Sequence, residues 1–568
     1  MEKPLLIYDG HCGFCKLWIE YFKRRTGDRI GYAPSQEVRE QYPRISTEQF
    51  DSAVQLVFPD GSYISGAEAV FRTLQIPWIP GIRAVSELAY QLVAAHRTFF
   101  YQLTKLFFGT DIRPAGFERI EELFLKALGM IYLFAFASIG SQVLGLIGRN
   151  GVLPAVTFLA GSTSFLDVPT LFWFNASDRM LQAGWIAGCF FALLIFAGLL
   201  RRSALCAAWV LYLSFVSIGQ DFFTFQWDLL LLEAGFLAIS LGWSRSIDWL
   251  NRWLLFRLMF LSGTVKWLSG DPTWRSFTAL EFHYQTQPLP TPVAWYAHQL
   301  PTWFQHLSAG CALGIEIFVP FLIFAPRRLR LLAIVPLAGL QILIFLTGNY
   351  AFFNLLALAL CLFLLEDRDL RYVSMPRHVP RIGRRIAVAA SLLIFTLSSY
   401  QLLRQFALIP AVRNPTEPFG IANNYGLFAV MTTMRPEILI AGSNDGSHWE
   451  DYEFRYKPGD LKRRPPWVAP HQPRLDWQMW FAALGSPHEN PWIVNLLLRL
   501  LQGSPDVLDL LGRNPFPTAP PRYVRAFIYN YKFTDAKTRN ETGAWWSREL
   551  LGTYVRLISL ADVRSNEK

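Results

Sequence analysis

The chain is 568 residues long, 52% hydrophobic and 15% aromatic, and only 17% of it is charged. A mean hydropathy of +0.24 at that length argues against a soluble or disordered protein and for a multidomain integral membrane protein. The net charge of +10 does not mark a nucleic-acid binder, because much of the basic excess sits in short loops between hydrophobic runs.

The opening MEKPLLIYDGHCGFC has no basic segment followed by an apolar one, so no cleavable signal peptide is expected and the N-terminus should stay in the cytoplasm. Residues 1–118 read as a small soluble α/β domain. Leu5 to Tyr8 is a short apolar strand, and residues 12–25 form a helix with Trp18, Ile19 and Phe22 at helical spacing. Residues 53–58 and 63–64 are the arms of a hairpin around Pro59-Asp60-Gly61. Between the first strand and helix stands Asp9-Gly10-His11-Cys12-Gly13-Phe14-Cys15. A cysteine at a helix start is stabilised as its thiolate by the dipole and the free N–H groups, and a second one a turn later can resolve a mixed disulfide. A zinc site would need two more ligands at matching spacing, and only His11 is near; two ordinary buried cysteines are the plain alternative. Cys189, Cys206, Cys311 and Cys361 all fall in hydrophobic runs.

The run Tyr8-Asp9-Gly10-x-Cys12-x-x-Cys15, with Asp60-Gly61 and Ser65-Gly66-x-Glu68-Ala69 further on, resembles the DCC family of thiol-disulfide oxidoreductase-like domains over roughly the first hundred residues. The resemblance implies a thioredoxin-like fold with Cys12 as attacking thiol, Cys15 as resolving thiol and Asp9 counted with them as catalytic. No proline precedes the strand near Ala53, where thioredoxins place a cis-proline beside the active site. That departure argues against efficient exchange with protein substrates.

Hydrophobic segments follow near 126–147, 181–200, 203–219, 227–242, 252–270, 304–325, 330–347, 350–365 and 386–403, which predicts a polytopic bundle of about nine helices over 119–403. With the N-terminus inside, loops 201–202, 243–252, 326–330 and 366–385 carry thirteen Lys and Arg, whereas the alternate loops 148–180, 219–226, 271–303 and 348–350 carry Arg149, Arg179 and Arg275 alone. That asymmetry puts residues 404–568 outside. Within the hydrophobic runs Glu233, Lys266 and Glu316 should face the bundle interior and be paired.

The exterior loops hold the polar signatures: Asp221, Gln226, Trp227 and Asp228 between two helices, then Asp271, Trp274, His283 and Tyr284, and later Asn349. Structural ion pairs and aromatic anchoring are one reading. The other is a site at the membrane's outer boundary for a client polypeptide or for proton transfer, where a partly desolvated Lys266 can act as a base.

In the tail, Tyr452, Phe454 and Tyr456 alternate with charged residues, Tyr523 to Phe533 alternates over a second strand, and a helix is expected at 491–502. The tail is therefore expected to be a β-rich, sandwich-like domain. Its run His471 to Trp480, with Arg474, Asp476 and Trp477, is either a peptide-binding surface or a buried loop pinned by Arg474 and Asp476.

Taken with Asn424-Tyr425-Gly426-Leu427-Phe428, Arg435-Pro436-Glu437, Tyr456-Lys457-Pro458-Gly459 and Pro470-His471-Gln472-Pro473-Arg474, residues 120–560 resemble the lipase maturation factor family. The resemblance implies help in folding and assembling secreted lipases, from the endoplasmic reticulum membrane in animals, with the C-terminal domain on the lumenal side. More remotely, the helical region is similar to vitamin K-dependent γ-glutamyl carboxylases, which implies Lys266 in Gly263-x-x-Lys266 at the position of their catalytic lysine. The expected function is a membrane-bound maturation factor, or chaperone, in a bacterial inner membrane. Its expected partners are a secreted lipase-like client, the lipid bilayer and a cytoplasmic thiol partner, with no nucleic acid, cofactor or metal. The alternatives are a redox enzyme using Cys12 and Cys15, and a membrane enzyme built around Lys266.

Overall fold

The computed structural model describes residues 3–76, 80–109, 115–162, 164–373, 379–410 and 416–562. The chain divides into two compact units, one of Met1–Gly116 with Phe324–Leu332 and Glu366–Val373, the other holding the rest.

In the first unit, strands β1 (Leu5–Tyr8), β2 (Gly31–Pro34), β3 (Gln55–Val57) and β4 (Tyr63–Ser65) form a sheet in the order β2-β1-β3-β4. β1 is parallel to β2 and antiparallel to β3. Successive residues of a strand point to opposite faces, and β1 uses both. Leu6 packs with Ile19 and Phe22 of α1 (Gly13–Thr26) and Ala69 of α2 (Gly66–Thr73), while Ile7 packs on the other side with Ile45, Phe50 and Val57. The expected hairpin closes through Phe58 N–H to Ser62 O, with Gly61 at φ +79°. Helices α3 (Pro80–Ala95) and α4 (Arg97–Phe108) pack on α2 and α1 respectively. Two loops with an excess of basic residues join this unit: Asp367 N–H donates to Gly116 O, and Arg328 donates to Leu106 O. Residues 374–378 of the 366–385 loop lie outside the described residues.

In the second unit every expected hydrophobic segment is helical: α5 (Glu118–Gly140), α6 (Asp178–Ala197), α7 (Arg201–Ile218), α8 (Gln226–Ile239), α9 (Arg245–Leu268), then, beyond α10 (Ala279–Thr286), α11 (Thr302–Ile317), α12 (Arg327–Thr347), α13 (Phe353–Cys361) and α14 (Arg381–Gln405). Residues 327–332 of α12 belong to the first unit. Among the described residues, five helical segments are long and apolar enough to cross a membrane, namely α5, α6, α11 with its extension to Phe324, α12 and α14. The others fall short for visible reasons: α8 and α13 have 14 and 9 residues, and α9 carries Arg252 and Arg257 in mid-course. Arg252 donates to Phe363 O, and the charge on Arg257 is neutralised internally. Arg257 bonds Glu233, which also accepts from Tyr425 and Asn423, and Lys266 bonds Glu316, so the expected pairing of the intramembrane charges is found.

The tail forms β5 (Pro436–Ser443), β6 (Glu450–Asp451), β7 (Glu453–Phe454), β8 (Leu511–Arg513), β9 (Tyr523–Phe533) and β10 (Trp546–Ile558). They make a four-stranded sheet, β10-β9-β5-β6, whose three pairings are all antiparallel, and a separate β7-β8 ladder. Helices α15 (Arg474–Ala483) and α16 (Trp492–Leu501) pack on β5 and β9. The alternating run from Tyr452 breaks into two short strands because Tyr452 N–H leaves the next ladder to bond Ile440 O. On the first half of β9, Val524 and Ala526 are buried and Tyr523 and Arg525 are not.

Glycines let α5 and α6 approach closely: a Cβ on Gly188 would stand 2.3 Å from the Phe136 ring. Gly188→Val should lower the unfolding midpoint of the detergent-solubilised chain by the equivalent of about 1–3 kcal/mol. Gly339→Ala, where nothing lies within 4 Å, should leave the midpoint unchanged or raise it.

Candidate functional site

Two places concentrate polar chemistry, one in each unit. In the first, Cys12 is the N-cap of α1, and its Sγ accepts the Cys15 N–H at 3.2 Å. Both thiols are free and half-buried. Gly10 is needed just before them, since a Cβ there would meet Pro34 Cβ and Gln36 Oε1 at 2.7 Å. Asp9 accepts from His11 N–H at 2.9 Å and Gln36 Nε2 at 3.1 Å, and lies 3.4 Å from Arg97. Burial works against its charge, but those hydrogen bonds and the Arg97 guanidinium outweigh it and hold the carboxyl below its ordinary range. Arg97 is itself fixed by the carbonyls of Asp51 and Ser52, at 2.6 and 2.8 Å. Burial, then the hydrogen-bonded Cys12 sulfur, push the Cys15 thiol up to about 12. Cys15 is therefore protonated at neutral pH, the state suited to a resolving or proton-carrying thiol.

In the second unit, the exterior candidates meet one another across the chain. Asp228 opens α8 fully buried, and Arg474 grips it with two bonds, 2.7 and 2.9 Å, while Tyr212 donates to it as well. Arg474 also donates to Phe222 O at 2.7 Å and lies over the Phe223 ring. Its own backbone N–H is taken by Gln142, and Gln142 and Ser138, at the end of α5, hold Gln472 O. Asp476 caps the N–H groups of Tyr456 and Lys457 at 2.9 and 2.8 Å; burial raises its pKa against that pair of bonds. Trp477 meets Trp227 edge-on at 4.6 Å, and Trp227 stacks on Phe225. Asn349 accepts from Val468 and Ala469 N–H and donates to Pro466 O, tying the start of α13 to the tail. Asp271 collects the N–H groups of Thr273, Trp274 and Met431, and Trp274 donates to Phe428 O. Gln226 and Gly426 exchange hydrogen bonds.

Of the two geometries open for the 471–480 run, the buried loop pinned by Arg474 and Asp476 is the one found. Trp227, Asp228, Asp271, Trp274, Asn349, Arg474, Asp476 and Trp477 are all buried, so none offers a surface to a partner. Asp221 is exposed, and Gln226, His283, Tyr284 and His471 are half-buried. His471 packs at a tilt against Tyr456, and both line a cleft of about 390 Å3 together with Ser138, Gln142, Arg455 and Asp476. Burial, then the Arg474 and Arg455 charges, lower its pKa to about 4; the same burial with Lys266 lowers that of His283 to about 4. Both imidazoles are neutral at physiological pH. Lys266, ion-paired to Glu316, sits 5.2 Å from the Trp274 ring. Sequence reasoning passed over Ser138, Gln142, Gln36 and Arg97. The first two could have been flagged as polar residues at the end of a spanning helix, but nothing local connects them to partners more than 300 positions away.

The family model described as "Lipase maturation factor transmembrane domain" matches residues 119–372, "Lipase maturation factor C-terminal domain" matches 421–556, and "DCC1-like thiol-disulfide oxidoreductase" matches 6–103. Lipase maturation factor 2 of Mus musculus is 36% identical, covering 78% of this chain and 83% of its own. The same protein of Homo sapiens is 35% identical (79% and 84%), and that of Xenopus tropicalis 34% (77% and 82%). No solved structure matches the chain.

Two outcomes are expected. Alkylation of Cys15 in the full chain should rise about tenfold per pH unit from pH 8 to 11, because its raised pKa keeps the thiolate scarce until about pH 12; mass spectrometry of the labelled peptide reads it. Arg474→Met should cost about 3–5 kcal/mol by stranding the buried Asp228, whereas Asp221→Ala should stay within about 0.5 kcal/mol, both read from unfolding in detergent.

Proposed function

The chain belongs to the lipase maturation factor family, and we propose that it acts as a membrane-bound maturation factor for secreted lipase-like proteins, with a thioredoxin-like redox domain on the cytoplasmic side of a bacterial inner membrane. On this reading the chain has three functional parts: residues 1–118, 119–403 and 404–568. The observation that carries the proposal is the docking of the tail onto one end of the helices through the buried Arg474–Asp228 pair. The tail and the helix ends thereby make one continuous face, and a client is held by that face rather than by an isolated domain. The contact region is the cleft edged by His471, Tyr456, Arg455 and Gln142, with Asp221, Gln226, His283 and Tyr284 as further accessible groups. Trp227, Asp228, Asp271, Trp274, Asn349, Arg474, Asp476 and Trp477 shape the face from within. The topology rests on the loop charges, and on the clustering of the basic loops at 324–332 and 366–373 with the N-terminal unit.

A second reading, dithiol chemistry at Cys12 and Cys15 with a thiol partner, is favoured by the N-cap position of Cys12 and the protonated Cys15. The sheet order β2-β1-β3-β4, with one parallel and two antiparallel pairings, supports the thioredoxin-like assignment. The third reading, Lys266 as a base, is weakened by its contact with the buried Glu316, which occupies the lysine nitrogen.

The test is a deletion strain assayed for active secreted lipase and complemented with wild type, Cys12→Ser, His471→Ala and Lys266→Met. Deletion should lower lipase activity at unchanged lipase transcript, His471→Ala should restore it only in part, and Cys12→Ser should restore it fully. Unaltered activity on deletion ends the proposal. Lys266→Met that folds yet fails to complement would reinstate a chemical lysine.

A further inference from the structure

We propose that an apolar pocket beside Cys15 binds a lipid-soluble quinone, which takes two electrons from the Cys12/Cys15 pair; this rests on the reading of that pair as a working dithiol. The pocket lies wholly inside the N-terminal unit and encloses about 500 Å3, within the range of small-molecule sites. α1, α2 and α3 wall it with Phe14, Trp18, Phe22, Phe71, Val70 and Val93. Such walls suit a flat ring and an aliphatic chain, and make the site costly for a charged peptide or a glutathione-like disulfide.

Its polar groups gather around the thiol. Cys15, Asp9, Arg97 and Tyr90 are close enough to act on one another electrostatically. Tyr90 Oη accepts the Val54 N–H at 2.9 Å, and among the described residues no acceptor takes its own proton. That hydroxyl is a donor for a ligand oxygen. A fatty acid would fill the walls but bring a carboxylate towards ionised Asp9. A quinone presents a neutral carbonyl to Tyr90 and accepts electrons as well. α3, the outer wall, turns Val85, Leu88 and Leu92 outward at 68%, 70% and 56% exposure, spaced i, i+3 and i+7 on one face. In a chain that sits in a bilayer, such a face suits the lipid surface, and lipid is where this ligand dissolves.

The step balances. Both thiols lose their hydrogens and form one S–S bond, while the two electrons and two protons turn the quinone's carbonyls into the hydroxyls of the hydroquinone. Cys15, held protonated, stands at the pocket as one proton source.

The experiment uses the full chain in nanodiscs, pre-reduced and freed of reductant, mixed with decyl-ubiquinone in one arm and glutathione disulfide in the other. Hydroquinone absorbance and the mass of the Cys12–Cys15 peptide are followed. One hydroquinone and one Cys12–Cys15 disulfide per chain are expected with decyl-ubiquinone, and neither in Cys12→Ser. Val70→Trp and Val93→Trp, which fill the pocket from two sides, should each lower the ratio of quinone rate to glutathione-disulfide rate at least roughly tenfold; a variant that still reacts with glutathione disulfide has kept its thiol pair. The proposal is overturned if glutathione disulfide oxidises the pair while decyl-ubiquinone does not, or if the filled variants keep the wild-type ratio. If neither oxidant forms the disulfide, the dithiol reading itself falls, and this inference with it.

Discussion

A carboxylate withdrawn from water at a helix start needs partners to replace the lost hydration, and Asp228 obtains a full counter-charge from Arg474, 246 positions along the chain. The fork between them does more than neutralise a buried ion. Arg474 is the first residue of α15, and the loop before it is held by Ser138 and Gln142 at the end of α5. One ion pair thus fixes where the tail begins its descent onto the helices. The aromatic contacts of Trp477 with Trp227 and Tyr350, and the Asn349 bonds to residues 466–469, follow from that placement. The second unit is one compact body because long-range polar pairs join segments that neither hydrophobicity nor local propensity would bring together.

The two polar centres differ in what their groups have left to give. Around the helix ends, charges are matched with near completeness: Glu233 with Arg257, Lys266 with Glu316, and Glu437 with both Arg435 and Lys457. Arg435 also donates through its two terminal nitrogens to the carbonyls of Gln285, Gln287 and Pro288. Such a network rigidifies a scaffold and leaves little for chemistry. At the cysteine pair the groups are half-open, the Cys15 thiol keeps its proton and Tyr90 keeps a donor. Groups with bonding capacity left over therefore gather in the N-terminal unit, and satisfied ion pairs in the other.

Much of this was legible without coordinates because it depends on short-range patterns. The Cys12 N-cap follows from a strand running into Asp9-Gly10 and then a helix, the 59–61 turn from its proline and glycine, and α16 from its leucine spacing. The loop-charge asymmetry needed only counting. What alternation in the tail left open was which face is covered: on β9 Val524 and Ala526 are buried, and Tyr523 and Arg525 are less so. A strand with amphipathic side chains on both faces does not announce which one the protein covers.

Composition and motif spacing determined on their own that the chain is a membrane protein with a dithiol domain before its helices and a strand-bearing tail after them. They also singled out Asp228, Asn349, Arg474 and Trp477 as residues that matter. Only the tertiary structure decided that these residues face inward and hold the tail to the helix ends, leaving His471 and its neighbours at the accessible edge. The physical reason is that a charged or aromatic side chain suits a binding surface and a satisfied buried cluster equally well. What separates the two is whether partners arrive from hundreds of residues away, and no local pattern records that.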